Sequence, residues 1–293
     1  MDLVNTSNSF MQFIIRLVIL GLCFSTPGCA FKSVNRSKNI SYLQSNSEIN
    51  LPEKQLNIFA PRKAENLPVL IFYYGGSWKS GKKEMYSFLG NRLARRGVVA
   101  VIVDYPLNPT FKVPAMETAA TQAVIWTSEN IQKYGGNPKQ LFVSGHSAGG
   151  HLAALVAVKN SDFESLGKEN PLKGAVLIDP AGLDMYTYLV ETKDGEGRKY
   201  LNAFTEDPEI WKQSSPIFHL GPGQISMLIL EGEETYPSIQ AGRGRFMKVV
   251  EEKNLDVKLE IYPQKKHIPM ITQFFWTWSR GYDDLLGFIK KWK

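Results

Sequence analysis

Apolar residues in this chain cluster in short unbroken runs. Val69–Tyr74, Val98–Val103, Leu141–Val143, Gly174–Ile178 and Ile225–Leu230 are each rich in aliphatic or aromatic residues and flanked by Gly, Pro or polar positions. Runs of that length without alternation predict strands covered on both faces, the pattern of a parallel sheet. Between them, apolar residues at helical spacing predict helices over Met85–Arg96, closed by Gly97, and over Met116–Tyr134, closed by Gly135-Gly136. A further helical run follows position 150 (Leu152, Ala153, Leu155, Val156). The alternation continues through a helix over Ser238–Lys253, a strand over Val257–Tyr262 and a helix over Gln273–Trp292, and Leu56–Pro61 reads as an early edge strand closed by proline. Strands alternating with helices predict an α/β fold, a mostly parallel central sheet with helices on both faces. One stretch departs from the rhythm. Asp179–Gly223 has scattered aromatics (Tyr186, Tyr188, Tyr200, Phe204, Trp211, Phe218) and no buried-strand run, as expected of a small cap inserted into the fold.

Composition adds bounds. The chain has 293 residues, 43% of them apolar, enough for a substantial single core. The net charge of +6 is spread without a dominant block, and no basic-aromatic module points to nucleic acid. Both cysteines, Cys23 and Cys29, fall in the first thirty residues, so the body carries neither a disulfide nor a cysteine metal site. Phe13–Phe24 is apolar apart from Arg16 and leads into Ser25-Thr26-Pro27-Gly28-Cys29-Ala30. That stretch is too short to span a membrane and fits an export leader over residues 1–30. Gly28-Cys29 resembles the end of a bacterial lipobox, with Thr26 where leucine is usual. Lipidation at Cys29, giving a membrane tether, simple cleavage after Ala30, an uncleaved anchor and a non-functional leader are the outcomes, and all but the last place the protein outside the cytoplasm. Residues 31–50, rich in Ser, Asn and Lys, read as a flexible tether, and 51–293 as the folded domain.

The chemistry centres on Gly145-His146-Ser147-Ala148-Gly149. A buried strand, a G-x-S-x-G turn and a helix form the context of a nucleophile elbow, which holds the serine hydroxyl at the apex of a tight turn. Serine at neutral pH needs a base. Of four histidines, His146 and His151 lie in or beside the elbow and read as packing residues, and His219 closes the cap, where it could approach substrate. His267 follows the last predicted strand and is the expected base, because loops beyond the C-terminal ends of parallel strands build such sites. The base needs an acid to orient it. The strand Ile225–Leu230 leads into Glu231-Gly232-Glu233-Glu234-Thr235, which nominates Glu234, with Glu233, Glu231 and Asp283 as alternatives. Backbone donors for an oxyanion are expected from Ala148 and from Gly75 and Gly76, in the loop Tyr74–Trp78 after an early strand, with Trp78 packing the loop or touching substrate. No clustered histidine–carboxylate signature suggests a metal, and no cofactor is implied.

Tyr74-Gly75-Gly76-Ser77-Trp78 resembles the HGG-x-W oxyanion loop of α/β-hydrolases of the carboxylesterase and hormone-sensitive-lipase type. Asp104-Tyr105-Pro106-Leu107, Tyr134-Gly135-Gly136-Asn137 and Gly145–His151 resemble that family's D-Y-R-L, Y-G-G-D and G-H-S-A-G-G-H elements. The resemblance runs from Leu56 to Trp292 and is nearest to kynurenine-formamidase-like and feruloyl-esterase-like (BD-FAE) proteins. It implies an α/β-hydrolase fold and hydrolysis of a small carboxylic ester through an acyl-enzyme. By the same resemblance Ser147, His267 and an acid near Glu234 form a triad, and Gly75, Gly76 and Ala148 the oxyanion hole. Amide or N-formyl hydrolysis with the same residues, or a non-catalytic binding module, are the alternatives. Three positions depart from the pattern: Tyr74 replaces a histidine, Pro106 an arginine, and Thr235 stands where the acid is expected.

Overall fold

The computed structural model describes residues 33–43 and 52–292; the leader expected over residues 1–30 lies outside them. Among these described residues eight strands form one sheet: β1 (Val34–Leu43), β2 (Lys54–Pro61), β3 (Leu67–Tyr73), β4 (Val99–Val103), β5 (Gly136–His146), β6 (Leu172–Ile178), β7 (Ser226–Glu234) and β8 (Val257–Lys266). Their spatial order is β1-β2-β4-β3-β5-β6-β7-β8. β2 runs antiparallel to both β1 and β4, and every other neighbouring pair is parallel. All five residues of β4 are fully buried, as are Val69–Tyr73 of β3. Helices lie on both faces of these strands, so their two sides are equally apolar and the sequence shows runs instead of alternation.

Among the described residues the helices are α1 (Ser87–Arg95), α2 (Val113–Asn130), α3 (Ala148–Val158), α4 (Asn160–Glu164), α5 (Met185–Thr192), α6 (Arg198–Phe204), α7 (Pro208–Gln213), α8 (Pro237–Glu252), α9 (His267–Thr272) and α10 (Arg280–Lys290). α1 packs on β2 and β4, α3 on β3, β5 and β6, and α10 on β6 and β7. Helices α5, α6 and α7, with a 3-10 turn at Pro216–His219, occupy the stretch between β6 and β7 where the strand–helix rhythm breaks. None of the described helices is long and apolar enough to cross a membrane.

Two elements differ from the sequence expectation. Residues 34–43, expected within the tether over 31–50, form β1, so β2 is an interior strand. The register of β1 against β2 shifts between Ser37 and Ile40 and again between Ser41 and Leu43. These irregularities put Ile40, Tyr42 and Leu43 on the core without a period of two, so the segment looks polar and unpatterned in sequence. The Tyr42 hydroxyl donates to the Asp104 carbonyl at 2.6 Å and fastens the strand's end. The last helix begins at Arg280 instead of Gln273. Ser279 caps it, accepting from the Gly281 N–H at 3.2 Å, and the preceding turn leaves Trp276 and Trp278 stacked and exposed.

Candidate active site

The elbow is built by close approach of backbone. A Cβ on Gly149 would lie 2.1 Å from the Tyr73 carbonyl oxygen, and one on Gly145 2.2 Å from the Gly149 carbonyl oxygen. Only glycine lets α3 leave β5 at that angle. Ser147 sits between them at φ 56° and ψ −121°, a backbone conformation that costs on the order of 1–3 kcal/mol and that the surrounding packing must hold. That packing includes the loop after β6: the Ser147 N–H donates to the Ile178 carbonyl at 3.2 Å, and its carbonyl accepts from the Ala181 N–H at 3.1 Å.

β8 delivers His267 from the other side, as the first residue of α9. The Ser147 hydroxyl donates to His267 Nε2 at 2.9 Å, and His267 Nδ1 donates to Asp179 Oδ2 at 2.5 Å. The imidazole lies between two rings, with His146 at 4.6 Å and Tyr236 at 4.8 Å between centroids. All three groups of the relay are buried, Asp179 completely.

The acid beside His267 is therefore Asp179, at the end of β6, and not Glu234. Glu234 is exposed at the end of β7, its backbone in register with Lys266. Glu233 accepts from the Gln264 N–H at 2.9 Å, Glu231 is buried against Arg243, and Asp283 sits in the first turn of α10. The end of β7 leaves residues 233 and 234 exposed, and Thr235 just beyond it is buried. The Thr235 hydroxyl donates to Asp179 Oδ2 at 2.5 Å, and the Gly232 N–H donates to Oδ1 at 3.0 Å. One signal in the sequence marks Asp179: a lone carboxylate directly follows a buried run, Gly174–Ile178, at the C-terminal end of a central parallel strand. At the junction of that run with the cap, a single carboxylate has no local pattern to tell a relay acid from a loop charge.

The loop Tyr74–Trp78 lies against the nucleophile. A Cβ on Gly75 would meet His146 Nδ1 at 2.9 Å and Ser147 Cβ at 3.1 Å. Ala148 is the first residue of α3, where a helical N–H has no partner inside its own helix. Ser77 and Trp78 both take positive φ, 52° and 58°. The strain is braced from the cap. Trp78 Nε1 donates to His151 Nδ1 at 3.2 Å, His151 Nε2 donates to the Ser214 carbonyl at 2.7 Å, and the Trp78 ring meets Phe204 edge-on at 4.9 Å. This pairing requires a neutral His151, and burial pushes its pKa down to about 4. His146 is likewise held neutral. Burial, with His267 nearby, lowers it to about 3, and its Nε2 donates to the His267 carbonyl at 3.1 Å.

A cavity of about 530 Å³ opens over the relay, with Ser147, His267, Gly75, Gly76, Trp78 and Tyr236 in its walls. His219 is not among its lining residues: its Nε2 donates to the Gln213 carbonyl at 2.7 Å and closes the end of the cap. Ligand atoms of His146, Asp179 and His267 lie within 4.8 Å of one another, a spacing a metal could use. Each of those side chains is, however, already committed to the hydrogen bonds above. The chemistry this arrangement supports is proton removal from a strained serine beside backbone donors.

The BD-FAE family model matches residues 56–241. The chain belongs to the BD-FAE family. A probable isoprenylcysteine alpha-carbonyl methylesterase from Oryza sativa subsp. japonica is 28% identical over 236 residues, covering 76% of this chain and 57% of the relative. A kynurenine formamidase from Salmo salar is 25% identical over 225 residues, covering 75% of this chain and 72% of the relative. This BD-FAE chain thus spans little more than half the length of its methylesterase relatives. Among solved structures, esterase B from Lactobacillus rhamnosis superposes with a TM-score of 0.72 at 19% identity, covering 97% of this chain and 92% of that one. A butyrate-bound esterase from Thermogutta terrifontis gives a TM-score of 0.69 at 23% identity, covering 86% and 94%. At those identities the superpositions establish the α/β-hydrolase fold.

Proposed function

We propose that this protein is a serine hydrolase that cleaves small carboxylic esters, with Ser147 as nucleophile, His267 as general base and acid, and Asp179 as the orienting carboxylate. The single observation that carries the reading is the unbroken relay from Ser147 Oγ through His267 to buried Asp179, set at the N-terminus of α3. His267 Nε2 takes the hydroxyl proton as Ser147 Oγ bonds to the ester carbonyl carbon. The carbonyl electrons move onto oxygen, where the N–H groups of Ala148 and the Gly75-Gly76 loop receive the charge. The C–O bond to the alcohol then breaks, and the alcohol leaves with the proton from His267. Water repeats the sequence: it gives a proton to His267 and its oxygen to the acyl carbon, and Ser147 departs reprotonated as the acid is released. Asp179 keeps Nδ1 protonated, so Nε2 presents its lone pair to the serine.

The esterases and methylesterases among its relatives support an ester over an amide. The decisive experiment pairs fluorophosphonate labelling with p-nitrophenyl acetate hydrolysis. Wild type labels and turns over, and Ser147→Ala does neither; a wild type inert in both assays ends the proposal. N-formylkynurenine tested alongside measures the amide alternative directly, and preferential cleavage of it would move the assignment. The apolar stretch Phe13–Phe24, which leads into Gly28-Cys29, supports export of the enzyme, which fractionation of producing cells and the mass of the mature N-terminus would test.

A further inference from the structure

The cavity over Ser147 has one wing that the elbow, the relay and the cap do not account for. Away from the cap it runs between the segment entering α1 and helix α9, walled by Met85, Tyr86, Phe88, Ile268, Ile271 and Phe275. Phe88 and Phe275, both in its wall, stack at 3.9 Å. Tyr86 and Phe88 continue an aromatic series that passes through Tyr74 to Tyr105 beneath the oxyanion loop, so the floor is rigid. Met85, Ile268 and Phe275 stay 59%, 53% and 46% exposed although all three line the same cavity. Apolar side chains gathered at the mouth of a site and left uncovered are the signature of a groove that a ligand completes. Of the cap aromatics named above, Tyr200 lines the cavity, where its ring meets Trp78 edge-on at 5.7 Å, while Phe204 and Trp211 are buried and Phe218 does not line it.

We propose that this wing binds one limb of the ester, and that the substrate class is an ester carrying an extended apolar chain of six or more carbons. The occupant is fixed by continuity, because the same cavity holds Ser147 and His267 at its inner end. The inference rests on the serine-hydrolase reading. Two substrate series test it: p-nitrophenyl esters from acetate to decanoate, and acetates of alcohols from ethanol to decanol, each with wild type, Phe275→Asp and Met85→Asp. Burial of a methylene is worth about fourfold in kcat/KM at most. In one of the two series wild-type kcat/KM therefore rises at least tenfold from the shortest member to the eight-carbon member, and each variant cuts that ratio at least tenfold. A flat or falling profile in both series, or a rise that both variants leave intact, overturns the wing while Ser147-dependent acetate cleavage stands. Loss of that cleavage in wild type overturns the hydrolase reading instead.

A separate observation assigns a role to Thr235. The turn Gly232–Thr235 grips both oxygens of Asp179, the Gly232 N–H on Oδ1 and the Thr235 hydroxyl on Oδ2, and the Thr235 N–H closes the turn onto the Gly232 carbonyl at 3.1 Å. Thr235 Oγ1 also lies 3.5 Å from His267 Nδ1. We infer that Thr235 is a positioning residue that holds the carboxylate of Asp179 toward His267. Thr235→Val keeps the shape and removes the donor. Its kcat falls about tenfold with KM little changed. The carboxylate, sharing its charge with one donor fewer, binds the imidazolium more tightly, so the acid limb of the kcat/KM profile moves to higher pH. Thr235→Ser restores both. A purely structural threonine would instead lower the melting temperature and leave the pH profile in place, and that result in Thr235→Val overturns the role.

Discussion

The elbow and the acid–base corner meet at one hydrogen bond, yet they are assembled in opposite ways. The shape of the elbow at Ser147 comes from its immediate neighbours, the glycines at 145 and 149, the end of β5 and the first turn of α3, and the loop after β6 clasps its backbone. His267 and Asp179 stand 88 positions apart, and Thr235, which touches both, comes from a third strand end. The elbow depends on local backbone sterics, so five consecutive residues with the strand and helix that flank them encode it. The corner depends on which strands the sheet places side by side. Because β6 and β7 separate β5 from β8, either could supply the carboxylate, and only the burial of the side chain at each end decides between them.

Substituting the carboxylates probes the corner hardest. Asp179→Asn keeps the shape and removes the charge that fixes the tautomer of His267, so kcat falls by about 10⁴. Glu234→Gln, in exposed backbone at the neighbouring strand end, changes it less than twofold. A reversal of those two results in a p-nitrophenyl acetate assay would return the acid to β7. On the elbow side, Gly75→Ala drives a methyl into His146 and pushes the oxyanion loop away from Ser147. The loss of a donor costs about 10²–10³ in kcat. Retention of wild-type kcat would show that the loop donates from elsewhere.

Acid pH tests the elbow side by stability. His146 and His151 have ordinary values of 6.5 when unfolded and about 3 and about 4 when buried, so below pH 6.5 the unfolded chain binds more protons than the folded one. Stability is complete above that pH and declines as pH falls toward 4, by about 1.4 kcal/mol per pH unit for each histidine. Urea unfolding between pH 7 and 4 should show this slope, and His151→Gln should halve it. An unchanged slope in the variant would mean that His151 is not held neutral. The smallest effect is expected at the brace: Trp78→Phe leaves His151 Nδ1 without its donor and costs about 1–3 kcal/mol in the same urea assay. A neutral result would show that edge-on packing against Phe204 is enough to hold the loop.

The unbroken apolar runs carried the central sheet, and Gly145–Gly149 with its flanks carried the elbow, because both rest on interactions close in sequence. β1 was hidden because two register shifts scramble its pattern, and its apolar residues become legible only against β2 and the core. Asp179 was hidden for a related reason. A single carboxylate after a strand looks the same whether it faces solvent or an imidazole, and three glutamates after the next strand offered a stronger local signal. Position 235 was marked as the place where an acid was missing. Only the packed sheet shows that a hydroxyl there steadies an acid from the adjacent strand.

By itself the sequence determined the fold class and a strained serine at a helix start, since backbone sterics and apolar runs act over a few residues. Tertiary structure decided which carboxylate meets His267, where the cap braces Trp78, and which wall of the cavity stays open and apolar. Those outcomes depend on the order in which strands lie side by side, which is a property of the assembled sheet and of no segment alone.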